Sequence, residues 1–347
     1  MANTELILSN AFDRPDGEAA PVAAAADMTS IRSVSVDATS FTEGPRSHVR
    51  AQGRGQVRSR GALAVARDLV ALTKPRITTL VLVTGAAGVA LAPGHVDVRA
   101  RILSLVGTAL IVGAANTLNM WWERDVDAFM TRTRNRPLPA GRMAPDVALV
   151  FGVVLALIAV PMLFMVNQAT ALLGLIALVS YVAVYTPLKR HTHLALLVGA
   201  VPGAIPPLLG WATVTGSIDL GGLLLFGVLF LWQIPHFAAI TIFRAEDYAR
   251  AGLQVVSVQQ GERAARHTVA LYTVLLVAAS LLFVPFGLGG KYYPMAATVL
   301  GAAFLALAFR GLRPGARFDT ARWAKRVFAY SVIYLPALLA ALLIGRA

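Results

Sequence analysis

Asn119, Glu123 and Asp127 follow one another at steps of four. At 100° per residue the outer two lie only about 80° apart, so on a helix all three oxygen-bearing side chains share one face, and Asp125 points elsewhere. Arg124, Arg132, Arg134 and Arg136 stand beside them. Hard oxygen donors next to guanidiniums suit Mg²⁺ shared with a phosphate. The ion takes one or two carboxylates, keeps some water and fills its shell from phosphate oxygens, while arginines meet the remaining charge. Spacing alone serves a solvated helix end with Glu and Arg pairs equally well. Carboxylates pressed against an apolar run favour chemistry.

Other polar residues collect nearby in the pattern. His236 follows Pro235 inside an apolar run, where an ionisable residue is a functional candidate; a neutral imidazole bonding across helices near the proline is the alternative. Glu246 and Asp247, just past that run, suit a second cation or the orientation of a ligand, or are plain surface carboxylates. Lys74 and Arg76, and Lys189 and Arg190 with His191 and His193, either touch a diphosphate or snorkel to the interface.

The elements that position these residues are read from hydropathy. The 347-residue chain is 57% hydrophobic and 14% charged, with a mean hydropathy of +0.66, which implies a bilayer as part of its solvent. Apolar windows predict nine spanning helices, over 77–92, 102–122, 147–166, 169–185, 194–211, 220–243, 268–287, 292–309 and 327–344, with Thr73 capping the first and Pro75 in its first turn. The fold class is therefore all-α and polytopic. The longest connections, 123–146 and 244–267, hold the candidate residues.

The formal charge of +13 would suggest nucleic acid in a soluble protein. Sorted by alternate connections, however, 27 of the 31 Lys and Arg lie on the side of the N-terminus and 4 on the other. That asymmetry is the positive-inside signal; it predicts a cytoplasmic or matrix-facing N-terminus and leaves no need for a nucleic-acid partner. Residues 1–62 lack apolar periodicity and read as a disordered tail before a membrane domain over 63–347. Neither a signal-peptide core nor an acid-free transit peptide is present, since Glu5, Asp13, Asp16, Glu18 and Asp27 come early, so a bacterial inner membrane is expected. With no cysteine, disulfides, iron–sulfur clusters and thiolate chemistry are excluded.

Nine spans with an Asn-x3-Glu-x3-Asp motif on the positive side resemble the UbiA superfamily of intramembrane prenyltransferases. Further strings, Leu72-Thr-Lys74-Pro-Arg76, Arg132-Thr-Arg-Asn-Arg136-Pro-Leu138, Tyr185-Thr-Pro-Leu-Lys189-Arg190 and Trp232-Gln-Ile-Pro-His236-Phe237 with Asp247-Tyr248, are similar to its heme-farnesylating branch. Glu123 stands where many members of the superfamily carry Asp.

The resemblance implies a UbiA-type bundle that transfers farnesyl from farnesyl diphosphate to a vinyl group of protoheme IX (heme B), adding water to give heme O. It implies Mg²⁺ held by Asn119, Glu123 and Asp127, with Asp247 as a further ligand, and diphosphate met by Arg132 and Arg136 and, second in rank, by Lys74, Arg76, Lys189 and Arg190. His236 and Asp247 join the catalytic set, with His236 ligating the heme iron or placing the attacking water. Heme A synthase or a terminal oxidase is the implied consumer of the product. A quinone-precursor prenyltransferase and a membrane transporter are the competing readings.

Overall fold

The computed structural model describes residues 61–131, 133–313 and 318–344. The expected tail, all but its last two residues, and Arg132 lie outside the described residues. These contain no strand, and the fold is a bundle of helices: α1 (Ala62–Leu72), α2 (Pro75–Leu91), α3 (Val98–Asp127), α4 (Pro145–Phe164), α5 (Gln168–Val179), α6 (Ala195–Thr215), α7 (Leu220–Phe243), α8 (Ala245–Arg250), α9 (Gly261–Leu281), α10 (Tyr293–Arg310) and α11 (Thr320–Ile344). After α5 the chain runs on through a π-helical turn, Ser180–Tyr185, and a last helical turn, Thr186–Leu188.

Eight described helical segments are long and apolar enough to cross a membrane. A ninth crossing is counted when α1 and α2, which meet at a 48° bend, are taken together. Apolar side chains face outward on most of them: Leu80, Leu157, Val299 and Ile333 are each more than 60% exposed, as lipid-facing residues should be.

With lipid outside, helices associate through close packing rather than hydrophobic burial. Small residues allow this where α2 meets α6. A Cβ on Gly210 would collide with the Gly85 carbonyl, and one on Gly88 with the Pro207 carbonyl. Helix α6 carries Pro202, Pro206 and Pro207 and is nonetheless continuous. Gln233 of α7 helps join the two helices, its Nε2 donating to the Ala200 carbonyl at 3.1 Å. Around these contacts one core (Trp211, Leu229, Leu276, Tyr334) joins α6, α7, α9 and α11, and a second (Ile111, Leu163, Leu173, Leu208) joins α3 to α6.

The capping of the first span needs correction, and two span boundaries need refining. Thr73 does not cap the first span. It closes α1, donating from Oγ1 to the Val70 carbonyl at 2.8 Å, and Lys74 precedes α2 in a left-handed conformation, φ +50°. The apolar window of the second span stops at 122, but α3 continues to Asp127, as the shared helical face of Asn119, Glu123 and Asp127 requires, and only 128–144 is loop. Likewise 244–267 is largely helical, with α8, a turn at Val256–Gln259 and the start of α9. Polarity at a helix end reads as loop in a hydropathy window, although the backbone has no reason to break there.

Gly210→Ala is expected to lower the melting temperature of the detergent-solubilised protein, since the backbones of α2 and α6 must part. Gly227→Ala, where a Cβ meets nothing within 4 Å, is expected to leave it level or raise it. Parallel thermal melts of the two variants test this; equal losses would show that α2–α6 contact is not limiting.

Candidate active site

Helix α3 brings Asn119, Glu123 and Asp127 onto one face, as the spacing requires, and that face is turned inward: the residues are 2%, 2% and 4% exposed. A buried carboxylate is stable only with a cation or several donors beside it. Cations arrive from separate parts of the chain. Lys189 Nζ, just after the Thr186–Leu188 turn, lies 2.5 Å from the Glu123 carboxylate. Arg136 Nη1, in the 128–144 loop, donates to Asp127 Oδ2 at 2.6 Å. Lys74 Nζ, at the α1–α2 bend, reaches Asn119 Oδ1 at 3.4 Å.

Each cation is held in place by its own segment. At the bend, Thr78 Oγ1 and Asn116 Nδ2 both donate to the Thr73 carbonyl, at 2.9 and 3.3 Å, fixing the unusual backbone that aims Lys74 inward. In the loop, Thr133 Oγ1 donates to the Asp127 carbonyl at 2.7 Å, while Arg142 spans from the Asn135 carbonyl to Asp68 of α1. Lys189 sits 5.6 Å over the ring of Tyr185, which stacks on Tyr181 across the π-helical turn. Gly199 makes room for the Tyr185 ring, which any Cβ there would meet at 2.6 Å.

Thr186 was not singled out by spacing or charge, yet it orients the row. Its Oγ1 donates to the Tyr181 carbonyl at 2.8 Å and accepts from Asn119 Nδ2 at 2.9 Å. The other Asn119 amide hydrogen goes to Glu123 Oε2 at 3.1 Å, which leaves Asn119 Oδ1 turned toward Lys74. A hydroxyl just past the 169–185 span was the available signal, and such residues are too common to be specific.

The remaining candidates lie elsewhere. Arg76 and Arg190 are exposed, and no hydrogen bond or ion pair ties them to the row. Asp247, in α8, pairs with Arg250 at 2.5 Å and Arg244 at 3.6 Å, and Glu246 is exposed. His236 bonds across helices, Nδ1 to Ser331 Oγ of α11 at 2.7 Å, between Trp232 and Phe328. Neither His236 nor Asp247 shares a hydrogen bond or ion pair with the α3 row. His193 joins Gln259 and Gln260, tying the segment after Lys189 to the one before α9.

Among the described residues no three His, Cys, Asp or Glu side chains gather into a metal site complete in itself. The α3 row fits a divalent cation of another kind. Two carboxylates and an amide, all oxygen donors and all buried, supply part of the shell of a hard ion, and phosphate oxygens and water supply the rest. The surrounding lysines and arginine suit the charge of that phosphate.

Replacing Lys189 with Met should leave Glu123 as an uncompensated buried charge and cost about 3 kcal/mol. Adding Glu123→Gln in the same chain should recover most of that loss. Equilibrium unfolding in mixed micelles measures both; a double variant as unstable as the single one would mean that the pair is not coupled.

Comparison with known proteins agrees with this geometry. Residues 81–333 match the UbiA prenyltransferase family. The protoheme IX farnesyltransferase of Anaeromyxobacter sp. (strain Fw109-5) is 51% identical over 286 residues, covering 82% of this chain and 95% of the relative. That of Myxococcus xanthus is 51% identical over 283 residues, covering 81% and 95%. Among solved structures, one described as giving insight into digeranylgeranylglyceryl phosphate synthase in membranes superposes with a TM-score of 0.70 at 15% identity, covering 81% of this chain and 98% of the other. A UbiA homologue from Archaeoglobus fulgidus bound to DMAPP and Mg²⁺ does so with 0.57 at 15%, covering 79% and 99%. The buried row on α3, the multi-pass bundle and these relatives lead to one conclusion: the chain belongs to the UbiA prenyltransferase family.

Proposed function

We propose that this protein is a protoheme IX farnesyltransferase, which joins the farnesyl group of farnesyl diphosphate to a vinyl group of heme B, with addition of water, and releases diphosphate and heme O. The observation that carries the reading is the buried Asn119–Glu123–Asp127 row, ringed by Lys74, Arg136 and Lys189, in a chain half identical to relatives bearing that name.

Breaking the allylic C–O bond leaves negative charge on diphosphate and positive charge on the farnesyl carbon. Asn119, Glu123 and Asp127 would hold Mg²⁺, which when bound supplies Lewis-acid stabilisation of the leaving diphosphate. Arg136, Lys189 and Lys74 add fixed positive charge on the same side, and charge preorganised in a site shielded from water acts far more strongly than in solution. Arg132, Arg76 and Arg190 are assigned supporting roles in drawing in the diphosphate. The apolar helices keep stray water from the allylic cation.

His236 and Asp247 are assigned to the heme half of the reaction, His236 because its imidazole can bind iron or place the attacking water, and Asp247 as a carboxylate that would hold a second Mg²⁺ or steer His236. The membrane is taken to be a bacterial inner membrane with the N-terminus and the α3 row on the cytoplasmic side, as the 27 to 4 distribution of Lys and Arg suggests. A heme-oxidising enzyme or terminal oxidase would take the product.

Membranes carrying the protein, given heme B, farnesyl diphosphate and Mg²⁺, are expected to form heme bearing one farnesyl group plus water by mass, and to lose that product with EDTA. Asp127→Asn is expected to lower the rate by about 10²–10³-fold while the protein remains folded by its melting curve. Consumption of farnesyl diphosphate without a heme product would point to another acceptor, such as a quinone precursor. Full activity in Asp127→Asn would remove the α3 row from the mechanism.

A further inference from the structure

Ser331 of α11 is fully buried, and its hydroxyl meets two groups. Its Oγ lies 2.6 Å from the Phe328 carbonyl oxygen and 2.7 Å from His236 Nδ1. Two oxygens so close need a hydrogen between them, and a carbonyl has none, so the single hydroxyl hydrogen of Ser331 is committed to Phe328. The remaining contact is then satisfied only if His236 Nδ1 carries a hydrogen and donates it to the Ser331 lone pair. In the neutral imidazole this fixes the tautomer and leaves Nε2, on the opposite side of the ring, as a bare lone pair.

The ring cannot easily turn away from this arrangement. Trp232 stacks on it with centroids 4.7 Å apart, and Phe328 lies 4.8 Å away on a tilted plane. Trp232 is itself tied to the same residue of α11, its Nε1 donating to the Ser331 carbonyl at 2.7 Å. Both polar groups of Ser331 therefore hold the α7 segment that contains Pro235. Among the described residues, no hydrogen bond reaches His236 Nε2. A histidine that ligates a metal characteristically donates its other N–H to a fixed acceptor, which sets the ring orientation and strengthens the donor nitrogen.

We propose that Ser331 is a positioning residue that holds His236 as the Nδ1–H tautomer, so that His236 Nε2 serves as an axial ligand to the iron of the substrate heme. The inference rests on the reading above that heme is the acceptor, and it adds the residue that prepares the ligand. Ser331 touches no reacting atom.

The test uses the full-length protein in detergent with heme B alone, reduced to the ferrous state, and follows the iron–imidazole stretch by resonance Raman. That band reports the hydrogen bond on the far nitrogen, which a merely structural role for Ser331 would not alter. The wild type is expected to show the band, His236→Ala to lose it, and Ser331→Ala to shift it to lower frequency. Ser331→Cys, close to serine in size but a weaker acceptor, is expected to fall between, and it keeps the comparison valid if the alanine variant does not fold. A band that survives His236→Ala, an unshifted band in both Ser331 variants, or no band in the wild type would overturn the inference. Product assays on the same preparations separate the two claims. Heme O formed without a His236-dependent band refutes only the ligand role, whereas the band without any heme product refutes the transferase reading.

Discussion

The structure depends on the burial of two carboxylates and an amide along one face of α3. Charges removed from water are tolerated only when opposite charges stand against them, and the cost of leaving one unpaired exceeds what a single helix contact contributes. The three side chains come from one helix, but their cations come from the α1–α2 bend, the α3–α4 loop and the turn after α5. Several pieces of chain far apart in sequence must therefore converge. Much of the irregular backbone described above, the left-handed Lys74, the Thr133-anchored loop and the π-helical turn before Thr186, lies where that convergence is made.

The helices around the row perform a different task. Their outward faces are apolar enough for lipid, so specificity of packing falls to small residues and to a few side chains that bond between helices. Gly88 and Gly210 bring α2 against α6, which places the Lys74 bend; Gln233 joins α7 to α6; Trp232 and His236 join α7 to α11. The polar residues thus form two groups, a charged one around α3 and an aromatic one on α7 and α11; on the proposed reading the first meets the diphosphate and the second a flat, iron-bearing ring. A reaction that must stabilise an anion and shelter a cation has use for that separation.

The row itself was legible because helical periodicity turns a spacing of four into a shared face, and because acids next to an apolar run have few other uses. The 220–243 span coincides with α7, where Asp219 marks the start by accepting from the Gly221 and Gly222 amides. Lys189 and Arg136 could be named from charge and resemblance, although nothing in their spacing says which carboxylate each one meets. Lys74 was legible as a candidate but its bend was not, since a left-handed lysine depends on Asn116 and Thr78 reaching back to the same carbonyl. For His236 the cross-helix bond anticipated near Pro235 is present, while its partner Ser331 lies 95 residues away and carries no local signal. Thr186 stands in the Tyr185–Arg190 string but was given no role for the same reason: one hydroxyl at a helix end has many possible uses, and only the fold selects among them.

On the proposed reading the α3 row and its cations form one diphosphate site that requires a divalent ion. Calorimetric titration of the purified protein with a non-ionising farnesyl thiodiphosphate, with and without Mg²⁺, tests it without depending on heme or turnover. Tight binding is expected only with Mg²⁺, weakened at least about tenfold in Glu123→Gln and in Asp127→Asn, a loss of about 1.4 kcal/mol or more. Equal affinity with and without the ion, or in all three proteins, would contradict it.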